Sequence, residues 1–466
     1  MSKKLAYNPY LPSYEYIPDG EPYVFGDRVY IYGSHDFFNG YVFCLGDYVC
    51  YSAPVDDLGN WRYEGVIYKK TDDPLNQEGK MCLYAPDVTV GPDGRYYLYY
   101  CLDKVPVMSV AVCDTPAGKY EFYGYVHDKD GNRIGEREGD EPQFDPAVLT
   151  EGKVTYLYSG FCGKQDSSRT GSKVAVLDED MLTVISEPET IIPGCMYAKG
   201  TEFEGHAFFE ASSIRKKDNQ YYLIYSSEVM HELCYATSNR PDGEFHYGGV
   251  LISNTDLHID SYKPAELSMA AGANNHGSMV QIGADWYIFY HRHTNGTWYS
   301  RQGCAEKLTI LEDGSILQAM MTSCGLNGGP LPGKGEYPTY IACNLFTKEH
   351  YVYLDEGMGP KIMQDGKDGD EEIGYIGNMK DSATAGFKFF DCQGITKVSV
   401  TTRGYAGGNL LVRTSYDGEV LASIHIPYSN VWETNSAPIS IPDGVHELYF
   451  TYQGDGTAMF KSFELS

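Results

Sequence analysis

The sequence has few positive charges and no long apolar run. Its 466 residues carry 36 Lys and Arg against 64 Asp and Glu, a formal net charge of -28. Nucleic acids and anionic membrane surfaces bind clustered basic residues, so this balance excludes both as expected partners. No apolar run approaches the roughly 18 residues that a membrane-spanning helix needs, and the opening MSKKLAYNPYLPSY turns polar before a signal-peptide core forms. We therefore expect a cytoplasmic protein.

Several motifs that would indicate other chemistries are also missing. The 12 cysteines include no C-x-x-C pair and no regular framework, which favours reduced, mostly buried thiols over disulfides or zinc ligands. The sequence has no P-loop and no G-x-G-x-x-G, and His231-Glu232 is followed by Leu-Cys-Tyr, so H-E-x-x-H is absent as well. Nucleotide-binding and zinc-protease functions therefore have no motif support, and no organic cofactor is expected.

Tyrosine is abundant, with 42 residues, and much of it falls in a repeated unit. Each unit has a polar residue, a short apolar strand, a turn rich in Gly or Asp, and a Tyr-rich strand. Five copies open at Asp19, Asp87, Asp145, Glu210 and His276, with spacings of 68, 58, 65 and 66 residues. A period of this length holds about four strands of five to six residues with their turns.

This repeat predicts an all-β fold. A four-stranded sheet cannot bury both of its faces alone, whereas five sheets stacked radially can, so we expect a five-bladed β-propeller. No helical period of comparable strength occurs, which argues against an α/β barrel, while ordinary β-sandwich repeats remain an alternative.

The chain divides into three parts on this basis. Residues 1–326 form the predicted propeller, and residues 327–340, rich in Gly and Pro, are interpreted as a linker. Residues 341–466 alternate apolar and polar positions in short strands and predict one β-sandwich, jelly-roll-like in form.

The opening residues of the five repeats are predicted to form one ring at the propeller centre. Four of the five are carboxylates, where a random set of five positions in this composition would contain fewer than one. Carboxylates that share a pocket cannot all ionise, so their pKa values separate, and one protonated and one ionised carboxyl can hydrolyse a glycosidic bond. The alternative is that these residues cap strands or turns. The D-T-G loops of acid proteases are absent.

Three segments around this ring resemble family 43 glycoside hydrolases. They are Pro18-Asp19 with Gly26-Asp27, Phe144-Asp145-Pro146, and Phe209-Glu210-Ala211-Ser212, in the chain order and blade spacing of that family. The resemblance covers residues 1 to about 325 and implies a five-bladed propeller that removes terminal arabinofuranosyl or xylosyl units with inversion. It implies Asp19 as general base, Asp145 as the residue that tunes and orients the acid, and Glu210 as general acid.

Further matches concern binding. Asn275-His276-Gly277 resembles the motif whose His points to the propeller centre, near a calcium or other cation, so His276 is a candidate for both substrate and metal binding; a hydrogen-bonded core His is the alternative. Arg301 lies where the family often has an arginine near the substrate. Ala85-Pro86-Asp87 resembles the segment in which arabinofuranosidases commonly have Asp, so Asp87 is a substrate-binding candidate that favours arabinose. Glu21 is a rival to Asp19 as base.

The C-terminal part resembles a family 6 carbohydrate-binding module around Gly407-Gly408-Asn409-Leu410 and Trp432. Sugar-binding members usually add a second Trp three residues later, where this sequence has Asn435. We therefore favour a structural partner that packs on the propeller over a sugar-binding module. The acidic turn at residues 365–372 is expected to be a solvated loop, with calcium binding as the alternative.

The sequence thus predicts an inverting, exo-acting α-L-arabinofuranosidase. Its expected substrates are oligosaccharides of arabinoxylan or xylan, with a calcium ion at the propeller centre. A β-xylosidase or bifunctional enzyme is the nearest alternative, and a non-catalytic sugar-binding propeller or a structural scaffold are alternatives outside enzymes. The oligomeric state stays open.

Overall fold

A computed structural model describes residues 4–466, and it confirms the predicted all-β fold with five blades and a C-terminal sandwich. Within residues 4–466 the helical elements are short 3-10 turns, at Lys70–Asp72, Pro74–Asn76, Gly325–Asn327, Thr339–Ile341 and Leu354–Glu356. In that part of the chain no helix is long and apolar enough to cross a membrane. The twelve cysteines are unpaired and most are buried, as predicted.

The first four blades are four-stranded antiparallel sheets in chain order. Blade 1 has strands β1 (Glu21–Phe25), β2 (Arg28–Tyr32), β3 (Tyr48–Pro54) and β4 (Arg62–Tyr68), and blade 2 has β5 (Asp87–Val90), β6 (Tyr96–Cys101), β7 (Met108–Cys113) and β8 (Glu121–Tyr125). Blade 3 has strands β9 (Ala147–Glu151), β10 (Val154–Ser159), β11 (Gly171–Leu177) and β12 (Val184–Pro193). Blade 4 has strands β13 (Phe208–Lys217), β14 (Gln220–Ser227), β15 (Glu232–Ser238) and β16 (His246–Ser253). Each of the five interfaces between neighbouring blades encloses its own cluster of buried apolar side chains. Stacking therefore buries the sheet faces, as the repeat predicts.

The fifth blade differs from the predicted four strands. Its sheet has three, β17 (Met279–Ile282), β18 (Asp285–Arg292) and β19 (Gln302–Lys307), with a separate ribbon of β20 (Thr309–Ile310) and β21 (Ile316–Leu317). The start of the chain covers the outer strand instead: Tyr10 N donates to Gly303 O (3.3 Å), and the Asn8 side chain bonds both backbone groups of Ala305 (2.8 and 2.9 Å). Residues before blade 1 thus hold blade 5 and close the ring.

The C-terminal sandwich is built on two long strands that pair over Val398–Arg413 of one and Tyr449–Leu465 of the other. Its strands are β22 (Leu331–Pro332), β23 (Gly335–Pro338), β24 (Asn344–Phe346), β25 (Lys361–Met363), β26 (Tyr375–Met379), β27 (Thr384–Cys392), β28 (Ile395–Arg413), β29 (Ala422–Ile426), β30 (Ser429–Ile441) and β31 (Gly444–Leu465). One large apolar cluster fills the space between them.

The segment interpreted as a linker is part of this sandwich. Leu331 pairs with Phe390 in β27, and Gly335–Pro338 pairs with the end of β31. Although Gly and Pro interrupt regular pairing, the side chains of Leu331 and Tyr337 are buried in the sandwich core, and this burial holds the segment in place. The predicted boundaries at residues 326 and 341 stay predictions.

The sandwich packs directly against the propeller. Lys388 of β27 forms an ion pair with Asp256 (Nζ to Oδ2, 3.1 Å), and both side chains are fully buried. The Lys388 ammonium also lies 3.7 Å from the centre of the Tyr262 ring. Because isolated buried charges are costly, this pair ties the two parts of the chain together.

Candidate active site

A cavity of about 370 Å³ opens where the inner strands of the blades begin. It brings together five of the six residues that the sequence analysis selects: Asp19, Asp145, Glu210, His276 and Arg301. Its size and its mixture of polar groups with aromatic walls are typical of sites that bind a small molecule.

Asp19 precedes the first strand of blade 1 and is buried. Its φ of +57° lies in the left-handed region, which few residues other than Gly adopt. Arg301 donates to its Oδ1 (3.0 Å), and His291 Nδ1 lies 3.2 Å from the same oxygen. Burial alone would raise the pKa of Asp19, but the Arg301 charge and His291 outweigh it and hold this pKa well below its usual range. Asp19 is therefore ionised.

Arg301 is held in a fixed orientation by a residue that the sequence analysis missed. Asp36, fully buried, accepts hydrogen bonds from Arg301 Nε (2.7 Å) and Nη2 (3.1 Å), while Nη1 points to Asp19. This fork-like pairing leaves the guanidinium little freedom. Asp36 lies in a loop outside the repeat, so no sequence pattern identifies it.

Glu210 and Asp145 form a second group of carboxyls in the cavity. Glu210 lies in β13 between two register irregularities, and the backbone N–H of Ala211 (φ +66°) donates to Asp145 Oδ2 (3.1 Å). Burial, and then the charge of Asp19, raise the pKa of Glu210 to about 8. Burial and repulsion from Glu210 also raise the pKa of Asp145 well above its usual range. This pair retains a proton at neutral pH.

The cavity thus holds carboxyls in opposite protonation states. Asp19 carries a charge because cationic and hydrogen-bonding groups surround it, whereas the Glu210 and Asp145 pair is protonated because it is buried with a negative neighbour. Such a separation of pKa values allows one group to accept a proton while another donates one.

Aromatic side chains form the walls of the cavity. The rings of Tyr84, Phe144, Phe161 and Phe209 follow one another with centroids 5.7, 5.3 and 5.2 Å apart, in edge-on or tilted contacts. Phe144 and Phe209 directly precede Asp145 and Glu210 in the sequence. Apolar faces with polar groups between them suit a sugar ring, which presents C–H groups and hydroxyls. Phe43 and Trp298 complete the walls, and no pattern in the sequence marks either of them.

The structure does not place Asp87, predicted to bind substrate, among the residues that line the cavity. It is the first residue of β5, and its carboxylate accepts from Tyr23 OH (2.6 Å), from Val88 N and from Val148 N (both 2.7 Å). These three donors hold the fully buried side chain within the blade interfaces, as in the capping role that the sequence analysis kept as the alternative.

Glu21, the rival candidate for the base, also lies outside the cavity lining. Its Oε2 accepts from Arg215 Nη2 (2.6 Å) and from Ser213 Oγ (3.1 Å), and the side chain is fully buried. The geometry therefore favours Asp19 over Glu21 as the carboxylate that meets a substrate.

His276 lines the cavity and faces both Asp145 and Glu21. Its Nδ1 is 3.6 Å from Asp145 Oδ2, and its Nε2 is 4.0 Å from Glu21 Oε1. Nε2 and Glu21 Oε1 are both buried, and neither has a hydrogen-bond partner among residues 4–466. Burial lowers the pKa of His276 to about 4, so the imidazole is neutral. Calcium prefers oxygen ligands. The carboxyl oxygen of Glu21 is of that kind, the neutral imidazole nitrogen of His276 faces the same gap, and water molecules would complete the shell of a cation bound there.

A second cluster of ligand-type side chains, His206, Glu232 and Cys234, lies elsewhere in blade 4. Glu232 Oε1 already accepts hydrogen bonds from His206 Nδ1 (2.7 Å), Ser227 Oγ (2.6 Å) and Cys234 Sγ (3.5 Å). This oxygen occupies the centre of the cluster, so we assign no metal there.

On the C-terminal sandwich, the side chain of Trp432 is engaged within the domain. Arg403 lies 4.2 Å from the ring centre, Lys461 5.4 Å from it, and Tyr375 meets it edge-on. Arg403 in turn pairs with Asp365 of the acidic turn (2.6 Å). The structural role expected for the module stays a prediction.

Comparison with known proteins identifies the family. A family model described as glycosyl hydrolases family 43 matches residues 17–316, which include the cavity carboxyls. This chain belongs to glycosyl hydrolase family 43. The expectation drawn from the three sequence segments is thereby confirmed, and the family 43 chain is a glycoside hydrolase.

Three individual proteins illustrate the likeness of this family 43 chain. It is 69% identical over 469 residues to a xylosidase/arabinosidase from Thermoclostridium stercorarium, with 99% of each chain covered. A family 43 arabinoxylan arabinofuranohydrolase from Bacillus subtilis, solved with cellotetraose, shares the fold over 99% of both chains (TM-score 0.54, 20% identity). A family 43 β-xylosidase/α-arabinofuranosidase from a compost metagenome, solved calcium-free with xylotriose, covers 66% of this chain and 96% of its own (TM-score 0.52, 27% identity).

Proposed function

We propose that this protein is an inverting exo-glycosidase that releases terminal α-L-arabinofuranosyl units from arabinoxylan-derived oligosaccharides. The observation that carries the proposal is the split protonation of the cavity: Asp19 is ionised beside Arg301, while the Glu210 and Asp145 pair holds a proton. The cytoplasmic location stays a prediction, which cell fractionation would test.

The proposed mechanism assigns one role to each carboxyl. Asp19 takes a proton from a water molecule as the water oxygen bonds to the anomeric carbon. Glu210 gives its proton to the glycosidic oxygen as the bond between that oxygen and the anomeric carbon breaks. Asp145, fixed by the Ala211 N–H, keeps the proton on the pair and orients Glu210. Arg301 keeps Asp19 ionised and in position.

The cavity walls support an exo mode of action. Tyr84, Phe144, Phe161 and Phe209 enclose one side of the cavity, and Phe43 with Trp298 contributes to the rest. A terminal sugar can enter such a cavity, whereas the middle of a polymer would need an open groove.

The identity of the sugar rests on the relatives. With Asp87 outside the cavity, the residue that favoured arabinose in the sequence no longer supports that choice. The names of the relatives at 69% and 27% identity pair xylosidase with arabinosidase or arabinofuranosidase. Removal of β-xylosyl units by the same cavity is therefore the second candidate activity.

The test combines a product assay with stereochemistry. We expect arabinose from defined arabinoxylan oligosaccharides by chromatography, and proton NMR should show the β anomer first from an α-arabinofuranoside. Xylose alone would favour the second candidate, the α anomer first would contradict inversion, and no sugar at all would contradict the proposal.

A variant tests the role of the acid. Glu210→Ala should lower kcat on oligosaccharides by about 10²–10⁴-fold, and less on aryl glycosides, whose leaving groups need little protonation. Glu244→Ala, at an exposed surface position, is the matched control and should leave kcat unchanged. Wild-type turnover of oligosaccharides by the Glu210 variant would refute the assignment.

We also propose a calcium ion at the propeller centre. His276 Nε2 and Glu21 Oε1, both buried and unpartnered, would contribute its protein ligands, with water in the other positions. Bound there, the ion would supply a fixed positive charge beneath the cavity.

A further inference from the structure

One short segment of the C-terminal part lies against three loops that carry cavity residues. Residues 352–355 run beside Gly272, whose N–H donates to Val352 O (2.9 Å) and whose carbonyl accepts from Leu354 N (3.1 Å). Two residues further along that loop, Asn274 lines the cavity and contacts His291 and His293 (2.8 and 3.2 Å). The segment thus fixes the backbone of one cavity wall.

Two side chains of the same segment reach the other two loops. Tyr353 OH donates to Val229 O (3.0 Å), and the next residue, Met230, lines the cavity with a left-handed φ of +67°. Asp355 Oδ1 accepts from the indole N–H of Trp298 (3.0 Å), and Trp298 forms part of the cavity wall. An indole N–H is a single, directional donor, so its acceptor fixes the plane of the ring.

These contacts are not what attaches the sandwich to the propeller. Attachment comes from buried groups such as the Lys388–Asp256 pair and the Arg292 bond to Ala342 O (3.1 Å). Asp355, by contrast, is exposed, and its only hydrogen-bond partner among residues 4–466 is Trp298. An exposed side chain that bonds one wall residue of a cavity contributes little to docking and much to the position of that residue.

We propose that Asp355 and Tyr353 are positioning residues, which hold Trp298 and Met230 in the form that binds the sugar. The C-terminal domain thereby shapes the substrate site of the propeller. This inference rests on the proposed function only in taking the cavity as the substrate site. It predicts an effect on substrate affinity, since neither residue reaches the reacting groups.

The experiment is a double-mutant cycle on steady-state kinetics. Asp355→Ala and Trp298→Phe each remove the hydrogen bond and should each raise KM about three- to tenfold with kcat within twofold. The double variant should be no worse than the poorer single one, because both remove the same interaction. Asp355→Asn keeps an acceptor oxygen and should restore KM to near the wild-type value. Tyr353→Phe should also raise KM.

Asp381→Ala is the matched control, since the exposed Asp381 side chain also accepts one hydrogen bond, in this case from the backbone N–H of Gly454 (3.0 Å), at a turn of the sandwich away from the cavity. It should leave KM and kcat unchanged. An unchanged KM in Asp355→Ala would overturn the inference, and so would a rise in KM of the double variant equal to the product of the two single rises. In either case, activity of the wild-type protein would still uphold the proposed function. A wild-type protein inactive on both 4-nitrophenyl α-L-arabinofuranoside and 4-nitrophenyl β-D-xyloside would instead count against the proposed function.

Discussion

At the scale of single residues, neighbours rather than residue type decide which carboxyl can accept a proton. Asp19 and Asp145 both precede the first strand of a blade by two residues, and both have a left-handed φ. Yet Asp19 accepts a hydrogen bond from the Arg301 guanidinium, whereas Asp145 accepts one from a backbone N–H and is repelled by Glu210. Their pKa values consequently move in opposite directions.

The pH profile tests this difference. The wild-type kcat/KM should fall as pH rises through about 8, where Glu210 loses its proton. Arg301 lowers the pKa of both Asp19 and Glu210. Arg301→Gln should therefore move both limbs of the profile to higher pH: the acidic limb, which is set by ionisation of Asp19, and the basic limb, which is set by Glu210. It should also lower kcat/KM. The measurement is kcat/KM on an aryl glycoside across the pH range.

Arg240→Gln serves as the control for this experiment, since Arg240 pairs with Asp242 at the surface. Its profile should coincide with that of the wild type. Limbs that do not move in Arg301→Gln would show that Arg301 does not set the charge of Asp19.

At the scale of elements, the repeat predicts where the strands begin better than it predicts which way their side chains point. The five opening residues all lie within three residues of the start of an inner strand. Asp19 and Asp145 precede their strands and face the cavity, whereas Asp87 is already inside β5 and is taken up by hydrogen bonds. Glu210 also lies inside its strand, but β13 is irregular in register on both sides of it, and Glu210 lines the cavity. Such local irregularities are not visible in the sequence, yet they decide whether an opening carboxyl faces the cavity.

The inner strands also define the proposed calcium site. Adding calcium to protein stripped with EDTA should raise Tm by about 3 °C or more at saturation, because the ion binds only the folded state. Glu21→Gln should reduce this shift, since it weakens the carboxylate ligand. Glu336→Gln, on the edge of the sandwich, should keep the full shift. Identical melting with and without calcium would rule out the site.

At the scale of the whole molecule, the propeller and the sandwich form one structure. Lys388 and Asp256 are buried at their junction. Lys388→Met should lower the free energy of unfolding by about 3–5 kcal/mol, because the Asp256 charge would be left without its partner. Urea unfolding followed by tryptophan fluorescence measures this change.

Lys153→Met provides the comparison, since Lys153 pairs with Glu179 while largely exposed. It should change the free energy of unfolding by about 0.5 kcal/mol or less. A Lys388 variant as stable as this control would mean that the buried pair does not hold the two parts together.

Much of the architecture could be predicted from the sequence, because blades repeat and each copy carries the same pattern. The positions of Asp19, Asp145 and Glu210 followed from that pattern together with a family resemblance. Asp36, Trp298 and the segment at residues 352–355 could not be predicted, because each acts through a contact with a distant part of the chain. The pairing of residues 331–338 with the sandwich could not be predicted for the same reason, because their partners are more than 50 residues away.

The hydrogen bonds from Asn8 and Tyr10 to the outer strand of blade 5 affect how the protein folds. Asn8 bonds groups 297 residues further along, at Ala305. During synthesis, the first residues therefore wait for almost the whole propeller before their partners exist. Contacts of such long range slow folding, because chain entropy is lost before they form. Blades 1 to 4 can assemble while the polypeptide grows, but the ring can close only once blade 5 has been made.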